Sequence, residues 1–206
     1  MTKHRNKEEW IAAILEAARV EIDEQGYADF SMEAIVRRTG FSKGGIYRFF
    51  SNKSEVALQL FIQAYEAQLA FDAEECLNWN LPMDETVFRL FVRYRIPEEG
   101  ARALDRVWIR LLPEVLNDSR FSEKRAELLS AIREKIGNLC IAIAHRDNIA
   151  VPGNFASRLA DSFELSAALL EGLSVQTALG GALSHQRVLV QSFISQIIRN
   201  LFGEND

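Results

Sequence analysis

Four side chains, those of Lys43, Tyr47, Arg48 and Lys53, could donate hydrogen bonds or positive charge to an anionic partner. They lie in the stretch GFSKGGIYRFFSNK, residues 40–53. Lys43 and Lys53 could neutralise phosphate groups, and the Tyr47 hydroxyl could donate to a phosphate oxygen. Arg48 can reach a guanine edge through two parallel hydrogen bonds. This set of side chains is typical of a surface that binds duplex nucleic acid.

Two adjacent glycines, Gly44 and Gly45, interrupt this stretch although its apolar spacing is helical. A Gly in a helix interior costs about 1 kcal/mol relative to Ala. We interpret both as leaving room for a helix to approach DNA closely, with its exposed N–H groups suited to a phosphate oxygen. The alternative is that the Gly-Gly pair is an ordinary loop.

The elements that position these residues are predicted to be short capped helices. Gly26 and Gly40 are placed to end the first two helices, and Ser31 to cap the second. Ser42 caps a third helix from Lys43 to about Phe50, and Asn52 a fourth, with Glu55 reaching back. Helix, tight turn and short helix form the helix-turn-helix arrangement. Its inward-facing side chains are expected to be Ile46 and Phe50.

The charge distribution supports the same interpretation although the chain is acidic overall, with a formal net charge of −5. The run from Arg37 to Lys53 holds five basic residues and no acidic one. Positive charge is therefore concentrated in one segment, which we expect to lack compensation. A solvated basic face without a partner is the alternative.

The stretch FSMEAIVRRTGFSKGGIYRFFSNKSEVALQLF resembles the DNA-binding module of the tetracycline-repressor (TetR) family, and the resemblance extends over residues 8–62. It implies that Ser42, Lys43, Gly44 and Gly45 start a recognition helix at the major groove. It also implies that Ser31, Tyr47 and Lys53 contact phosphates. Arg48 and Phe49 occupy positions that vary in the family, so base preference does not transfer. We assign no base contact to Glu33.

The remaining chain is predicted to be helical over about 53–78, 83–95, 101–116, 121–146, 154–180 and 185–202, with each proline at a helix boundary. We therefore expect an all-α fold. Residues 1–52 would form a three-helix DNA-binding domain, and residues 53–206 a larger helical bundle for ligand binding and dimerisation.

The last two helices carry broad apolar stripes, which predict a four-helix interface between two chains. A palindromic operator needs two reading heads, about 34–36 Å apart. The alternative is that both stripes are buried within one chain. The residues predicted for the interface are Leu159, Phe163, Ala167, Leu170, Val190, Phe193, Ile194, Ile197 and Leu201.

A largely apolar small-molecule site is predicted between helices of the bundle. Four arginines (Arg95, Arg102, Arg106 and Arg110) make an anionic ligand group conceivable, although a solvated helix face is the simpler explanation. The residues predicted to line the site are Phe88, Phe91, Tyr94, Trp108, Leu112, Leu139 and Phe163.

Catalysis has no support in the pattern, because the three histidines are scattered and no metal, phosphate-loop or nucleophile motif occurs. We expect no cofactor and no metal. Cys76 and Cys140 have no disulfide or metal spacing and are expected to be buried thiols in a cytoplasmic protein. The absence of a long apolar run indicates no membrane partner.

Three functions compete. The favoured one is a ligand-responsive transcriptional regulator, most simply a repressor that binds a palindromic operator as a dimer. The second is a helical carrier or enzyme whose basic segment is incidental. The third is an architectural DNA binder without a ligand. The sequence does not identify the ligand, the operator, the regulated genes or the number of dimers per operator.

Overall fold

The structure is a computed structural model that describes residues 6–95, 101–178 and 187–203, and these residues form helices and connections without a strand. The all-α prediction is confirmed. The helices are α1 (Lys7–Gln25), α2 (Met32–Thr39), α3 (Lys43–Tyr47), α4 (Lys53–Leu69), α5 (Ala73–Asn78), α6 (Met83–Arg95), α7 (Ala101–Asn117), α8 (Ser119–Arg146), α9 (Phe155–Ala178) and α10 (Arg187–Phe202).

The chain divides into two compact units. One contains the chain up to Tyr65 together with Ala103–Ala126, and the other contains Glu66–Arg102 and the chain from Glu127 onward. The division by packing therefore places the first turns of α4 and most of α7 with the helix-turn-helix. The functional boundary after residue 52 stays a prediction.

The first unit is held by side chains that the apolar spacing of α1 to α4 predicts. Ile14, Ile35 and Ile46 are fully buried, and Phe50 is nearly so. The inward orientation predicted for Ile46 and Phe50 is confirmed. Phe61 of α4 packs edge-on against Phe121 at the start of α8, with ring centroids 5.3 Å apart. Burial of these rings adds the start of α8 to the same core.

The second unit is built around α8, α9, α10 and α6. α10 packs against both α6 and α9. Leu139, Cys140 and Ile143 of α8 are buried in one apolar cluster with Leu201 of α10. Cys76 and Cys140 are free buried thiols, as predicted.

Two predictions of helix boundaries are wrong. The helix expected over 53–78 ends at Leu69, and a new helix begins after Asp72, whose carboxylate accepts from the N–H groups of Glu74 and Glu75 at 2.8 and 3.4 Å. A side-chain cap competes locally with continuation of the helix. Pro113 lies inside α7 rather than at its boundary. Its exposed position in the last turns limits the cost of the missing N–H.

Candidate DNA-binding surface

The turn between α2 and α3 is built from two serine caps and one left-handed glycine. The Ser31 hydroxyl accepts from the Ala34 N–H at 3.2 Å, and the Ser42 hydroxyl accepts from the Gly45 N–H at 3.1 Å. Gly40 ends α2 with φ 69°, a conformation that costs Gly little. These predicted caps are confirmed, and they orient the start of α3 toward solvent.

The two glycines of α3 have different surroundings. A Cβ at Gly44 would meet no atom within 4 Å, so this position is open. A Cβ at Gly45 would lie 3.0 Å from the Trp10 ring and 3.1 Å from the Ser42 hydroxyl. The interpretation of Gly45 as a gap for DNA is therefore wrong, since its space is taken by α1 and by the helix cap. Gly44 keeps that interpretation.

Trp10 of α1 is a residue that the sequence analysis missed. Its ring lies 4.0 Å from the Phe41 ring and 6.1 Å from the Phe49 ring, measured between centroids. It therefore supports α3 from both ends. The signal was its spacing: Trp10 precedes Ile14 by four residues and extends the apolar stripe of α1 by one turn.

Lys43 at the start of α3 is paired with Glu33 of α2. The Lys43 ammonium donates to a Glu33 carboxylate oxygen at 3.1 Å, and both side chains are exposed, by 66% and 58%. This hydrogen bond lowers the pKa of the Glu33 carboxyl and raises the pKa of the Lys43 ammonium. The Lys43 nitrogen also lies 5.5 Å from the centre of the exposed Tyr47 ring.

Arg48 follows α3 directly and is exposed, with its guanidinium 5.9 Å from the Phe49 ring centre. Among the residues that the structure describes, no carboxylate lies within ion-pair distance of it. Its charge is available to an external partner, and its role in base recognition stays a prediction.

Lys53 has an internal role that the spacing did not indicate. Its ammonium donates to the carbonyl oxygens of Tyr27, Ala28 and Phe30, each at 3.2 Å. It also lies 4.6 Å from the Tyr27 ring centre. Three donors on three carbonyls satisfy an ammonium group. Lys53 therefore ties the loop before α2 to the start of α4, and phosphate contact would require it to leave these partners.

The expectation that the basic run lacks compensation is wrong in part. Arg38 pairs with Glu21 at 2.8 Å and Glu24 at 2.7 Å, and Lys43 and Lys53 have the partners described above. These partners come from α1, from the start of α2 and from backbone carbonyls. A count of charged residues within residues 37–53 could not identify these partners, because they lie outside that segment.

The start of α4 carries a second polar cluster in the same unit. Arg120 forms a two-point ion pair with Asp118, with a shortest N–O distance of 2.5 Å, and donates to the Ser54 hydroxyl at 2.8 Å. Hydrogen bonds from Arg120 lower the pKa of Asp118 from 3.8 to about 2. The cluster joins α4 to the junction of α7 and α8.

The second unit contains a cavity of about 150 Å³, lined by residues of α6, α8, α9 and α10 together with Phe71. Of the predicted ligand residues with described side chains, Phe163 lines it. Phe88 and Leu139 are buried in the surrounding clusters, and Trp108 and Leu112 belong to the other unit. The side chains of Phe91 and Tyr94 lie outside the described residues.

Most residues predicted for the dimer interface face the interior of their own unit, which is the alternative stated above. Ala167, Val190, Ile194 and Leu201 are buried within one chain, and their place in a dimer interface stays a prediction. The side chain of Leu170 lies outside the described part. The predicted interface residues that line the cavity are Leu159, Phe163, Ala167, Val190, Phe193, Ile194, Ile197 and Leu201.

A different face of the same helices is open to solvent. Leu165 of α9 is 61% exposed, and Val188 and Leu189 of α10 are 75% and 70% exposed. The apolar stripes were broad enough that the sequence did not distinguish their inner side from their outer side.

The capped helix-turn-helix of α2 and α3 is an arrangement that DNA-binding proteins use. Residues 14–60 match the family model described as bacterial regulatory proteins, tetR family. The chain is 33% identical over 76 residues to an uncharacterised HTH-type transcriptional regulator, YhgD, of Bacillus subtilis (strain 168). That alignment covers 37% of this chain and spans 39% of the relative's length.

Solved structures show the same fold over nearly the whole chain. A crystal structure from Rhodococcus sp., assigned to the TetR family of transcriptional regulators, has a TM-score of 0.70 at 16% identity and covers 92% of this chain and 99% of its own. Salmonella enterica GusR has a TM-score of 0.68 at 16% identity, with 98% of each chain covered. These solved structures share the fold of this chain at low sequence identity, and the match to the tetR family model lies in residues 14–60.

Two further findings concern the described residues alone. No helix of the described residues combines the length and apolar character needed to cross a membrane. The described part of the chain also holds no cluster of three or more His, Cys, Asp or Glu side chains able to bind a metal ion.

Proposed function

We propose that the chain is a ligand-responsive repressor that acts in the cytoplasm, binds a palindromic operator as a homodimer and leaves it when a small molecule binds. The observation that carries this proposal is the exposed start of α3. Gly44 is open, and Tyr47 and Arg48 are exposed beside it. A recognition helix needs an uncovered first turn of this kind to enter the major groove.

The contacts to DNA divide by chemistry. Lys43 and Tyr47, together with the N–H groups at the start of α3, suit phosphate oxygens. Arg48 suits a guanine edge. Ser31 and Ser42 cap helices, and a phosphate contact from either would add to that role. Lys53 is proposed to affect DNA binding indirectly, because it holds the loop before α2 in place.

The homodimer is proposed to form through the outer faces of α9 and α10. Leu165, Val188 and Leu189 supply exposed apolar surface there. Two helices from each chain would make a four-helix interface. A two-fold dimer presents two α3 helices to a two-fold operator, which explains why a palindrome is expected.

Ligand release requires that the cavity be coupled to the first unit. α8 and α4 are the proposed connections, because α8 lines the cavity and its first turn packs in the first unit. A ligand that favours the non-operator state by about 1–3 kcal/mol would lower operator affinity roughly 5- to 150-fold.

The test is selection of bound sequences from a random duplex pool with the full chain at near-physiological salt. Enrichment of an inverted repeat is expected, and sedimentation should give the mass of a dimer. A Lys43→Gln, Tyr47→Phe double variant should lose the enrichment while remaining folded and dimeric. A folded dimer that enriches no sequence would overturn the proposal in favour of a helical carrier, and uniform binding would favour an architectural role.

A further inference from the structure

The cavity of the second unit has a wall that is almost entirely hydrocarbon. The lining residues with polar side chains are Cys140, Ser162, Ser166 and Glu171. The Ser166 hydroxyl donates to the Ser162 carbonyl oxygen at 2.7 Å, so its hydrogen is already used. Burial raises the pKa of the Cys140 thiol to about 12, which keeps it neutral. The remaining wall offers leucine, isoleucine, valine, alanine and phenylalanine side chains.

The charge of the wall restricts the ligand further. Glu171 is the one residue of the described lining that carries a carboxyl group, and that lining contains no Lys, Arg or His. A carboxylate or phosphate that entered this cavity would lose its hydration and find no cation to pair with. Transfer of an unpaired charge out of water is strongly unfavourable. The wall therefore selects against anions.

The size of the cavity sets the scale of the ligand. A dry cavity of about 150 Å³ lined by Leu, Ile and Phe is large enough for benzene or xenon, and this cavity has about the same volume. Burial of a compact apolar molecule removes its surface from water without breaking hydrogen bonds.

From size, charge and lining together, we infer that the effector is a small neutral hydrocarbon, of the size of a single aromatic ring with short alkyl substituents. This inference rests on the proposed function, because it names the ligand class of that same site. Binding also fills the space between the inner faces of α9 and α10. The outer faces of those two helices are the proposed dimer surface. Ligand binding between the helices would therefore change the relative position of the two chains.

The probe is toluene, with benzoate as the charged ring of similar size, titrated calorimetrically into the full-length dimer in a sealed cell. Toluene is expected to bind once per chain with a Kd between about 10 μM and 1 mM. Benzoate should bind at least 100-fold more weakly. Absence of toluene binding, or benzoate binding of equal strength, would overturn the inference.

Two substitutions locate the site. Ala167→Leu adds three carbon atoms to a buried wall position and should weaken toluene binding at least tenfold. Ser162→Leu narrows the cavity from a half-buried position and should act in the same direction, even if Ala167→Leu does not fold. Ala156→Leu makes the same change at an exposed site of the same helix and should bind toluene like the wild type. Wild-type affinity in both cavity variants would refute the assignment.

The selected duplex separates this inference from the proposed function. If the chain binds its duplex but not toluene, the ligand class is wrong and the DNA-binding function stands. If toluene binds but no duplex is enriched, the cavity assignment stands and the regulator proposal fails. Toluene binding that leaves duplex affinity unchanged would refute ligand-induced release alone.

Discussion

Lys43 and Glu33 face each other across the turn of the helix-turn-helix, with the ammonium nitrogen 3.1 Å from the carboxylate oxygen. Both groups are exposed, and Lys43 directly precedes the open position Gly44. A DNA phosphate that binds Lys43 must therefore compete with Glu33. The pair lowers attraction to any duplex and leaves more of the binding free energy to contacts that depend on sequence.

Glu33→Gln should strengthen binding to all duplexes about 2- to 5-fold, because it removes the carboxylate that competes for Lys43, and solvent screening keeps the effect of an exposed pair small. The ratio of affinities for the selected and a scrambled duplex should fall or stay constant. Fluorescence anisotropy on both duplexes measures this. Glu16→Gln, which removes a carboxylate paired with Arg19 at 2.6 Å within α1, is the matched control. Unchanged affinity of Glu33→Gln on both duplexes would contradict competition for Lys43.

Gly44 and Gly45 should respond differently to alanine. Gly44→Ala enters open space and should leave the protein as stable or up to about 1 kcal/mol more stable. It should nevertheless weaken operator binding about tenfold, because the added methyl group lies at the proposed DNA surface. Gly45→Ala must displace Trp10 or the Ser42 cap and should lower the free energy of unfolding by about 1–2 kcal/mol. Urea unfolding and anisotropy together measure both effects, and equal operator affinity for Gly44→Ala and wild type would argue against close approach there.

Lys53→Met should destabilise the first unit, because three carbonyl oxygens lose a charged donor. After allowance for solvent at this half-buried site, the loss should be about 1–3 kcal/mol. The readout is the midpoint of urea unfolding. Arg48→Ala, an exposed cation without an internal carboxylate partner among the described residues, is the control and should leave stability within about 0.5 kcal/mol. If Lys53→Met changes only DNA binding, the residue acts as a phosphate ligand instead.

The ion pair of Asp118 and Arg120 predicts an acid-sensitive contribution to stability. The pKa of Asp118 is about 2 in the folded chain and 3.8 as its ordinary value. Since the folded value is the lower one, the contribution is fully present above pH 4 to 5 and is lost as the pH falls toward 2. The difference in unfolding midpoint between wild type and Asp118→Asn should therefore shrink between pH 6 and pH 3. Asp161→Asn, at an exposed site of α9, should show no such convergence.

Leu165→Glu and Leu189→Glu should break the dimer without unfolding the chain, because both side chains are exposed in one chain. Val190→Glu places the same charge next to Leu189 but at a position that is 5% exposed, and it should unfold the second unit. Sedimentation and circular dichroism distinguish the two results. A dimeric mass for Leu165→Glu and Leu189→Glu would exclude these faces from the interface.

The caps and turns could be predicted because their physics is local. Ser31, Ser42 and Asn52 each act on an N–H group three residues ahead, and the Asn52 side chain accepts from the Glu55 N–H at 3.0 Å as expected. The Glu55 carboxylate reaches back one residue further than predicted, to the Ser51 N–H. A pattern of hydrogen-bonding residues at fixed short spacing is visible in the sequence.

The partners of the basic residues could not be predicted, because they are distant in the chain. Lys43 pairs with a residue ten positions away, and Lys53 binds carbonyls 23 to 26 positions away. The inner side of α9 and α10 was ambiguous for a related reason. Both helices are apolar around much of their circumference, so the periodicity did not show which side α6 and α8 would cover.

The most direct test of the account is methylation protection of guanine N7 on the selected duplex. Guanine N7 lies in the major groove, where α3 is proposed to bind. The account predicts two protected patches related by two-fold symmetry, about 10–10.5 base pairs apart between centres. The wild-type dimer should give both patches, and Arg48→Ala should lose protection at specific guanines in each. Sequence-specific binding that protects no guanine N7 in the major groove, or that protects a single patch, would contradict the proposed binding mode.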